Sequence, residues 1–425
     1  MDVEAIADLD PDQRRALFER DAGLEAIRDD VREIVDRVHE EGDVALREFC
    51  REFDDVEVGN FEVTDAAERA YEAIDDDVRE AIKTAASNIR DFHERQVPDD
   101  WDTETAGRRL GRRFYPLNSA GVYVPGGTAA YPSSALMGII PARVAGVEHV
   151  VVATPPADEI NPVTLAAIHA AGADAVYQVG GAQAIAAMAY GTESITGVDV
   201  IVGPGNRWVT AAKAEVRGDV KIDMLAGPSE VLAIADGTAD PDIIAAEMLT
   251  QAEHDPNAAV VAVTDDADLA EAVVESIDEQ ASEREREDIV REALDNEASG
   301  VFVARSLSEA ALFADEFAAE HLYVLADDED ALLDRIENYG SAFLGEYSPV
   351  AAGDYASGTN HVLPTDGQAR LESGLSVDTF VRSATVQRLS EDGLADLRET
   401  ITTLATEEGL EAHAHSVDVR FEERS

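Results

Sequence analysis

The chain has 425 residues, of which 89 are acidic and 33 basic, for a formal charge of −56. Such a charge excludes a sequence-independent grip on nucleic acid or on an anionic membrane, because like charges repel. The single cysteine, Cys50, excludes a disulfide framework and a thiolate zinc site, and no apolar run reaches the roughly 20 residues that span a bilayer.

The length suffices for two or three domains with sizeable cores. Only three basic residues are lysine: Lys83, Lys213 and Lys221. The acid is spread along helix faces rather than gathered in a tail, which argues against a disordered acidic segment. It is the surface of a protein adapted to high salt, where self-repulsion is screened. The opening Met1-Asp2-Val3-Glu4-Ala5 lacks the basic start and apolar run of a signal peptide, so the expectation is a cytoplasmic protein.

Residues 1 to about 105 read as helices. Leu24, Ile27, Val31, Ile34, Val35 and Val38 share one face at helical spacing, Gly42 marks a turn, and further amphipathic runs cover 43–53 and 64–95. His39 and His93 sit among charges and are expected to be solvated; His149 and His169 are expected to be structural. From Ala120 the texture changes to short runs rich in Val and Ile alternating with helical stretches, the pattern of parallel sheets covered on both faces. The first series of strands is expected at 121–124, 150–153, 175–179 and 198–202. The second is expected at 231–235, 258–264, 300–304, 322–325 and 342–344. Two βαβ blocks follow, an α/β fold.

Three strands of the first block end in glycine: before Gly126-Gly127-Thr128, before Gly180-Gly181-Ala182-Gln183, and before Gly203-Pro204-Gly205-Asn206. In a parallel sheet these turns share the carboxyl edge, and each following helix start offers free N–H groups to a phosphate or sugar. A GxGxxG fingerprint is absent, and no acidic residue clearly offers itself to a ribose, so a dinucleotide would be held in a non-standard way. Gly227-Pro228 turns the linker between the blocks and exposes Ser229, which by itself is as well explained as a turn residue.

In the second block, Asp240-Pro241 opens a helix with an N-cap oxygen and a proline at N1. Ile244, Met248 and Gln251 lie on its buried stripe, His254 follows at i+3 from Gln251, and Pro256 stops it. A buried amide needs a partner, so Gln251 and His254 are either a hydrogen-bonded core pair or part of a site. A helix over 308–320 ends in Glu320-His321, a candidate acid–base unit. Residues 353–364 form a small-residue loop carrying Asp354 and His361, able either to face a ligand or to make an Asx-turn with a surface histidine. The tail holds a helix over about 392–408, then Glu408, His413 and His415, and 417–421 alternates like a strand. Gln251, His254, Asp354 and His413 make an oxygen and nitrogen donor set with one formal negative charge, suited to Zn²⁺ or a similar ion.

The chain resembles the histidinol dehydrogenases from end to end. The motifs that carry the resemblance are Tyr123-Val124-Pro125-Gly126-Gly127, Val179-Gly180-Gly181-Ala182-Gln183, Gly203-Pro204-Gly205-Asn206, Ala226-Gly227-Pro228-Ser229-Glu230, Gln251-Ala252-Glu253-His254, Ala319-Glu320-His321-Leu322, and the whole of 353–364. The resemblance implies two successive hydride transfers that take L-histidinol through the aldehyde to L-histidine and reduce two NAD, the last steps of histidine biosynthesis. It implies one zinc per subunit on Gln251, His254, Asp354 and His413, with His321 as general base and Glu320 activating water for aldehyde hydration. Ser229, His361 and Glu408 fall at substrate positions, as do His321 and the four metal ligands; Tyr123, Gln183 and Asn206 fall at NAD positions. It further implies a homodimer in which the partner's tail supplies Glu408 and His413 to each site. The implied fold has two Rossmann-like parallel-sheet domains: an N-terminal arm (1–20), a discontinuous metal and substrate domain (21–122 plus 231–375) on which the N-terminal helices pack, an NAD domain (123–230), and a C-terminal dimerisation segment (376–425). Rival readings are a dehydrogenase for another amino alcohol, a zinc hydrolase, and an inactive zinc-binding dimer.

Overall fold

Most of the apolar runs become strands because they are short, rich in β-branched residues and buried on both faces. The computed structural model describes residues 1–18, 20, 23–126 and 130–422, so Gly127 and Thr128 of the first glycine turn lie outside the described residues. In chain order the strands are β1 (Val3–Ala5), β2 (Trp101–Thr105), β3 (Arg108–Pro116), β4 (Ser119–Tyr123), β5 (His149–Thr154), β6 (Ala175–Gln178) and β7 (Val200–Val202). They continue with β8 (Lys221–Ile222), β9 (Glu230–Ala235), β10 (Ala259–Thr264), β11 (Gly300–Val303), β12 (His321–Leu325), β13 (Ser341–Leu344) and β14 (Val381–Leu389).

The chain divides into two compact units, one of Met1–Gln96 with Leu117–Phe380, the other of Val97–Pro116 with the chain from Val381 onward. The first holds two parallel sheets. One has the order β6-β5-β4-β7-β8, the other β1-β11-β10-β9-β12-β13. Both are doubly wound: each series starts in the middle, runs outward to one side, then resumes on the other, leaving switch points between β4 and β7 and between β9 and β12. The second unit is an antiparallel sheet, β14-β3-β2, with the helices Glu391–Glu407 and Glu411–Asp418. No helix among the described residues is long and apolar enough to cross a membrane.

Several expectations need correction. The first 105 residues are not all helical. The strand β1 pairs in parallel with β11, Val3 against Val301, a partnership too distant for local periodicity to announce. In β2 every residue is exposed, so no apolar alternation marks it. Of the N-terminal helices, Pro11–Phe18 packs on the second sheet as expected, but Arg28–Glu41 and Asp43–Phe53 do not. Val31, Ile34, Val38, Leu46 and Phe49 share a core with Val151, Tyr177, Ile185 and Ile201 of the first sheet and its helices, while Ile6 and Leu17 join the core of the second. His93 is buried, not solvated. It continues the stripe Ile82, Ala85, Ile89 on the helix Asp76–Glu94, and its ring nitrogens meet Gln96 Oε1 at 2.7 Å and Asn360 Nδ2 at 3.4 Å. Residues 411–418 are helical, with Val417 as the buried contact; five alternating residues were too few to separate period 2 from period 3.6.

Candidate active site

In the first unit a cavity of about 1070 Å³ lies between the two parallel sheets. Every expected site residue except Glu408 and His413 lines it. Those two are exposed on the second unit, Glu408 just after the helix Glu391–Glu407 and His413 within Glu411–Asp418.

One wall is the carboxyl edge of the first sheet. The helices Gly181–Tyr190 and Arg207–Val216 start there, presenting N–H groups and the positive ends of their dipoles. The hydroxyl of Tyr123 accepts from the N–H of Gly181 at 3.1 Å, and burial pushes its pKa up to about 12. Gln183 is buried. Asn206 is an N-cap: its Oδ1 accepts from the N–H groups of Trp208 and Val209 at 3.0 and 3.2 Å, so the carboxamide is already engaged in holding the helix start. The third turn is fixed from beneath by a buried ion pair. Lys213 Nζ donates to the carbonyl of Gly203 at 2.5 Å and to Asp223 Oδ1 at 2.8 Å, while Asp223 Oδ2 accepts from the N–H of Gly203 at 2.8 Å. Gly203 has φ +110, and a Cβ there would stand 2.3 Å from the carbonyl oxygen of Tyr123; only glycine lets β4 and β7 approach so closely.

The opposite wall is the amino edge of the second sheet. Ser229 precedes β9, His254 precedes β10, and Glu320-His321 opens β12. The helix Pro241–Ala252 ends beside the cavity with Gln251 in its last turn. Its capping by Asp240 is as expected, but it stops four residues before Pro256, leaving His254 exposed in the following turn. The helix expected over 308–320 ends at Phe317, where Ala318 adopts a left-handed φ of 53. His321 is therefore a strand residue and takes no stabilisation from a helix dipole. Asp354, expected in a loop, sits in the short helix Val350–Tyr355. Glu247 supplies that helix's first N–H with an acceptor, Oε2 to the N–H of Val350 at 2.9 Å, and so ties the Gln251 helix to the Asp354 helix. Helix carboxyl ends and acidic side chains make this wall favourable to cations.

His321 is almost fully buried. Its Nδ1 donates to the carbonyl of Glu230 at 3.0 Å, which leaves Nε2 toward the cavity, 3.6 Å from Asp354 Oδ1 and without a hydrogen-bond partner among the described residues. Burial pushes the imidazole down, but Glu320 and Asp354 overcome this and hold it at about 10. Burial likewise works against the Asp354 carboxylate, yet His321 beside it keeps its pKa below the ordinary range. His361 donates from Nδ1 to the carbonyl of Asp354 at 3.0 Å and faces Ser134 Oγ across 3.5 Å; burial pushes its pKa down. Gln251 is 2 % exposed and its Nε2 has no hydrogen-bond partner among the described residues. The set Gln251, His254 and Asp354 on one wall, offering a carboxamide oxygen, an imidazole nitrogen and a carboxylate, fits a divalent ion. Among the described residues no three of His, Cys, Asp and Glu are clustered closely enough to hold one by themselves, so a site in one chain needs the glutamine and a further donor.

Sequence reasoning missed Asp54. It lines the cavity near Tyr123, its Oδ2 is buried without a hydrogen-bond partner among the described residues, and burial raises its pKa to about 6. Only its position after the apolar stripe of the helix Asp43–Phe53 hints at it.

The family model for histidinol dehydrogenase matches residues 18–421. The chain belongs to the histidinol dehydrogenase family. It is 73% identical over 422 residues to the histidinol dehydrogenase of Haloarcula marismortui, covering 99% of this chain and 100% of that one. It is 68% identical to that of Natronomonas pharaonis, over 99% and 100%. The crystal structure of histidinol dehydrogenase from Elizabethkingia anophelis superposes with a TM-score of 0.92 at 36% identity, covering 99% of this chain and 97% of that one. Membership in the histidinol dehydrogenases makes the chain an enzyme, an oxidoreductase of histidine biosynthesis.

Proposed function

We propose that the chain oxidises L-histidinol to L-histidine through the aldehyde in two NAD-dependent steps, with one zinc per subunit. The observation that carries the reading is the opposition of the two walls. Helix starts on the first sheet suit a pyrophosphate, and helix ends, carboxylates and the Gln251 carboxamide oxygen on the second suit a cation and an amine. The first sheet, taken as the NAD domain, offers Tyr123, Gln183 and Asn206 to the cofactor.

Gln251, His254 and Asp354 would hold zinc, completed by His413 from a second copy. When bound, zinc supplies Lewis acidity and orientation, and NAD accepts a hydride at each oxidation. His321, with Nδ1 fixed on the Glu230 carbonyl, takes and returns protons at Nε2. Glu320, beside it, withdraws the proton from the water that hydrates the aldehyde. Ser229, His361 and, from the partner's tail, Glu408 bind the substrate's polar groups. Exposed Leu404, Leu410 and Val419 on the tail are the apolar surface by which two copies associate. The charge of −56 and the haloarchaeal relatives support work in a salt-rich cytoplasm.

The test is NADH formation from L-histidinol in high-salt buffer, counted per substrate, with and without a chelator. Two NADH per histidinol, lost on chelation and regained with zinc, is the expected result. One NADH would refute the hydration step, and none from a folded, zinc-loaded dimer would refute the reading.

A further inference from the structure

Behind the Glu320-His321 pair lies a buried carboxyl that has no place in the chemistry above. Glu230 opens β9 beside β12 and is 1 % exposed. Its Oε1 accepts from the N–H of Asp366 at 2.8 Å and lies 2.7 Å from Arg20 Nε. Its Oε2 accepts from Arg20 Nη2 at 3.2 Å and from the N–H of Glu320 at 3.4 Å. The main chain of the same residue grips the pair from the other side: its N–H donates to Glu320 Oε2 at 2.9 Å, and its carbonyl receives His321 Nδ1 at 3.0 Å. Arg20 is anchored in turn on the carbonyls of Leu17 and Phe317 at 2.6 and 2.9 Å, with its guanidinium 3.9 Å from the centre of the Phe317 ring.

We propose that Glu230, clamped by Arg20, is the positioning residue of the acid–base pair, fixing the Glu320 carboxylate and the Nδ1–H form of His321. The inference rests on the roles given to Glu320 and His321 above. Two alternatives compete: a positioning device, or an ion pair that only stabilises the fold. The donor count favours positioning. Two main-chain N–H groups and Arg20 Nη2 donate to one carboxylate, with Arg20 Nε in ion contact at 2.7 Å, and one of those N–H groups belongs to Glu320 itself. A glutamine at 230 would offer a single acceptor oxygen and turn an NH₂ toward donors, so at least one of these contacts must be released.

The experiment compares Glu230→Gln, Glu230→Asp, the double variant Arg20→Met with Glu230→Gln, and His321→Asn, all as zinc-loaded dimers in high salt. We expect Glu230→Gln to lower kcat by about 10- to 100-fold with histidinol and with the aldehyde alike, while KM stays within about twofold. Glu230→Asp, which keeps the charge on a shorter arm, should recover part of kcat. Glu230→Gln also strands the Arg20 cation and lowers the melting temperature; the double variant removes that cation and should regain stability without regaining kcat. Recovery of kcat in step with stability, or wild-type kcat in Glu230→Gln beside an inactive His321→Asn, overturns the proposal. Full activity in His321→Asn would instead remove the underlying assignment, and this inference with it.

Discussion

Lys213→Met tests the buried clamp beneath the Gly203 turn. The ammonium and carboxylate are 5 % and 0 % exposed, so the substitution leaves the Asp223 charge buried with only the N–H of Gly203 beside it. It also removes the donor to the Gly203 carbonyl. Deleting one partner of a buried, hydrogen-bonded pair costs about 3–5 kcal/mol, mostly through the charge left behind. Against a total stability of roughly 5–15 kcal/mol this is a large fraction. At about 2–4 °C per kcal/mol for a cooperative unit of 150–250 residues, the melting temperature should drop by roughly 10 °C. The double variant Lys213→Met with Asp223→Asn keeps an acceptor for Gly203 without stranding a charge, and should lose only about 1–2 kcal/mol. Guanidinium unfolding in high potassium chloride, with NAD KM measured in parallel, provides the assay. NAD KM should rise several-fold in the single variant with kcat nearly unchanged, since the clamp holds a cofactor-side turn. A single-variant loss under about 1 kcal/mol, or a double variant no more stable than the single, would refute the reasoning.

His321→Asn should lower turnover by about 10²–10⁴-fold while zinc content and NAD binding persist; loss of zinc in proportion would make His321 a ligand. Mixing His413→Ala chains with His321→Asn chains should restore some activity, because a hybrid dimer assembles one intact site, and verified hybrids without activity would exclude site sharing. Asp54→Asn reports on the buried carboxyl. Because burial raises the folded pKa to about 6, the contribution of the neutral form is complete below the unfolded value of about 3.9 and is lost as pH rises to about 6. Two pKa units correspond to about 3 kcal/mol, reduced to roughly 1–2 for a group only partly buried. The variant should thus gain that much stability at pH 7 without NAD and almost none at pH 4. A pH-independent difference would contradict the assignment.

Most of the nine strands of the two parallel sheets from 119–202 and 230–344 could be seen in the chain because double-sided burial writes apolar runs rich in Val and Ile; the edge strand Ser341–Leu344, which has neither, is partly exposed. The antiparallel sheet could not be seen. In β3 and β14 most residues are exposed, and their pairing, Val381 against Pro116, joins segments far apart in the chain. The site was legible as residue types at turns, since Gly126, Gly180 and Gly203 mark backbone approaches that few other residues allow. What remained hidden was whatever acts through tertiary partners: the burial of His93 by Asn360, the orphaned oxygen of Asp54, the Glu247 cap on the Asp354 helix, and the Arg20–Glu230 pair. Glu230 reads as one more acid in a chain full of them until β12 is laid beside it.

The pairing of β1 with β11 also governs how the chain is made. Val3 leaves the ribosome well before its partner Val301, which is synthesised about 300 residues later. At about 5–20 residues per second that is a wait of roughly 15–60 s. The sheet formed by β4 to β8 draws all its strands from one continuous stretch and can close during that interval. A ribosome stalled before residue 300 would therefore carry a finished first sheet and an amino-terminal strand still without a neighbour.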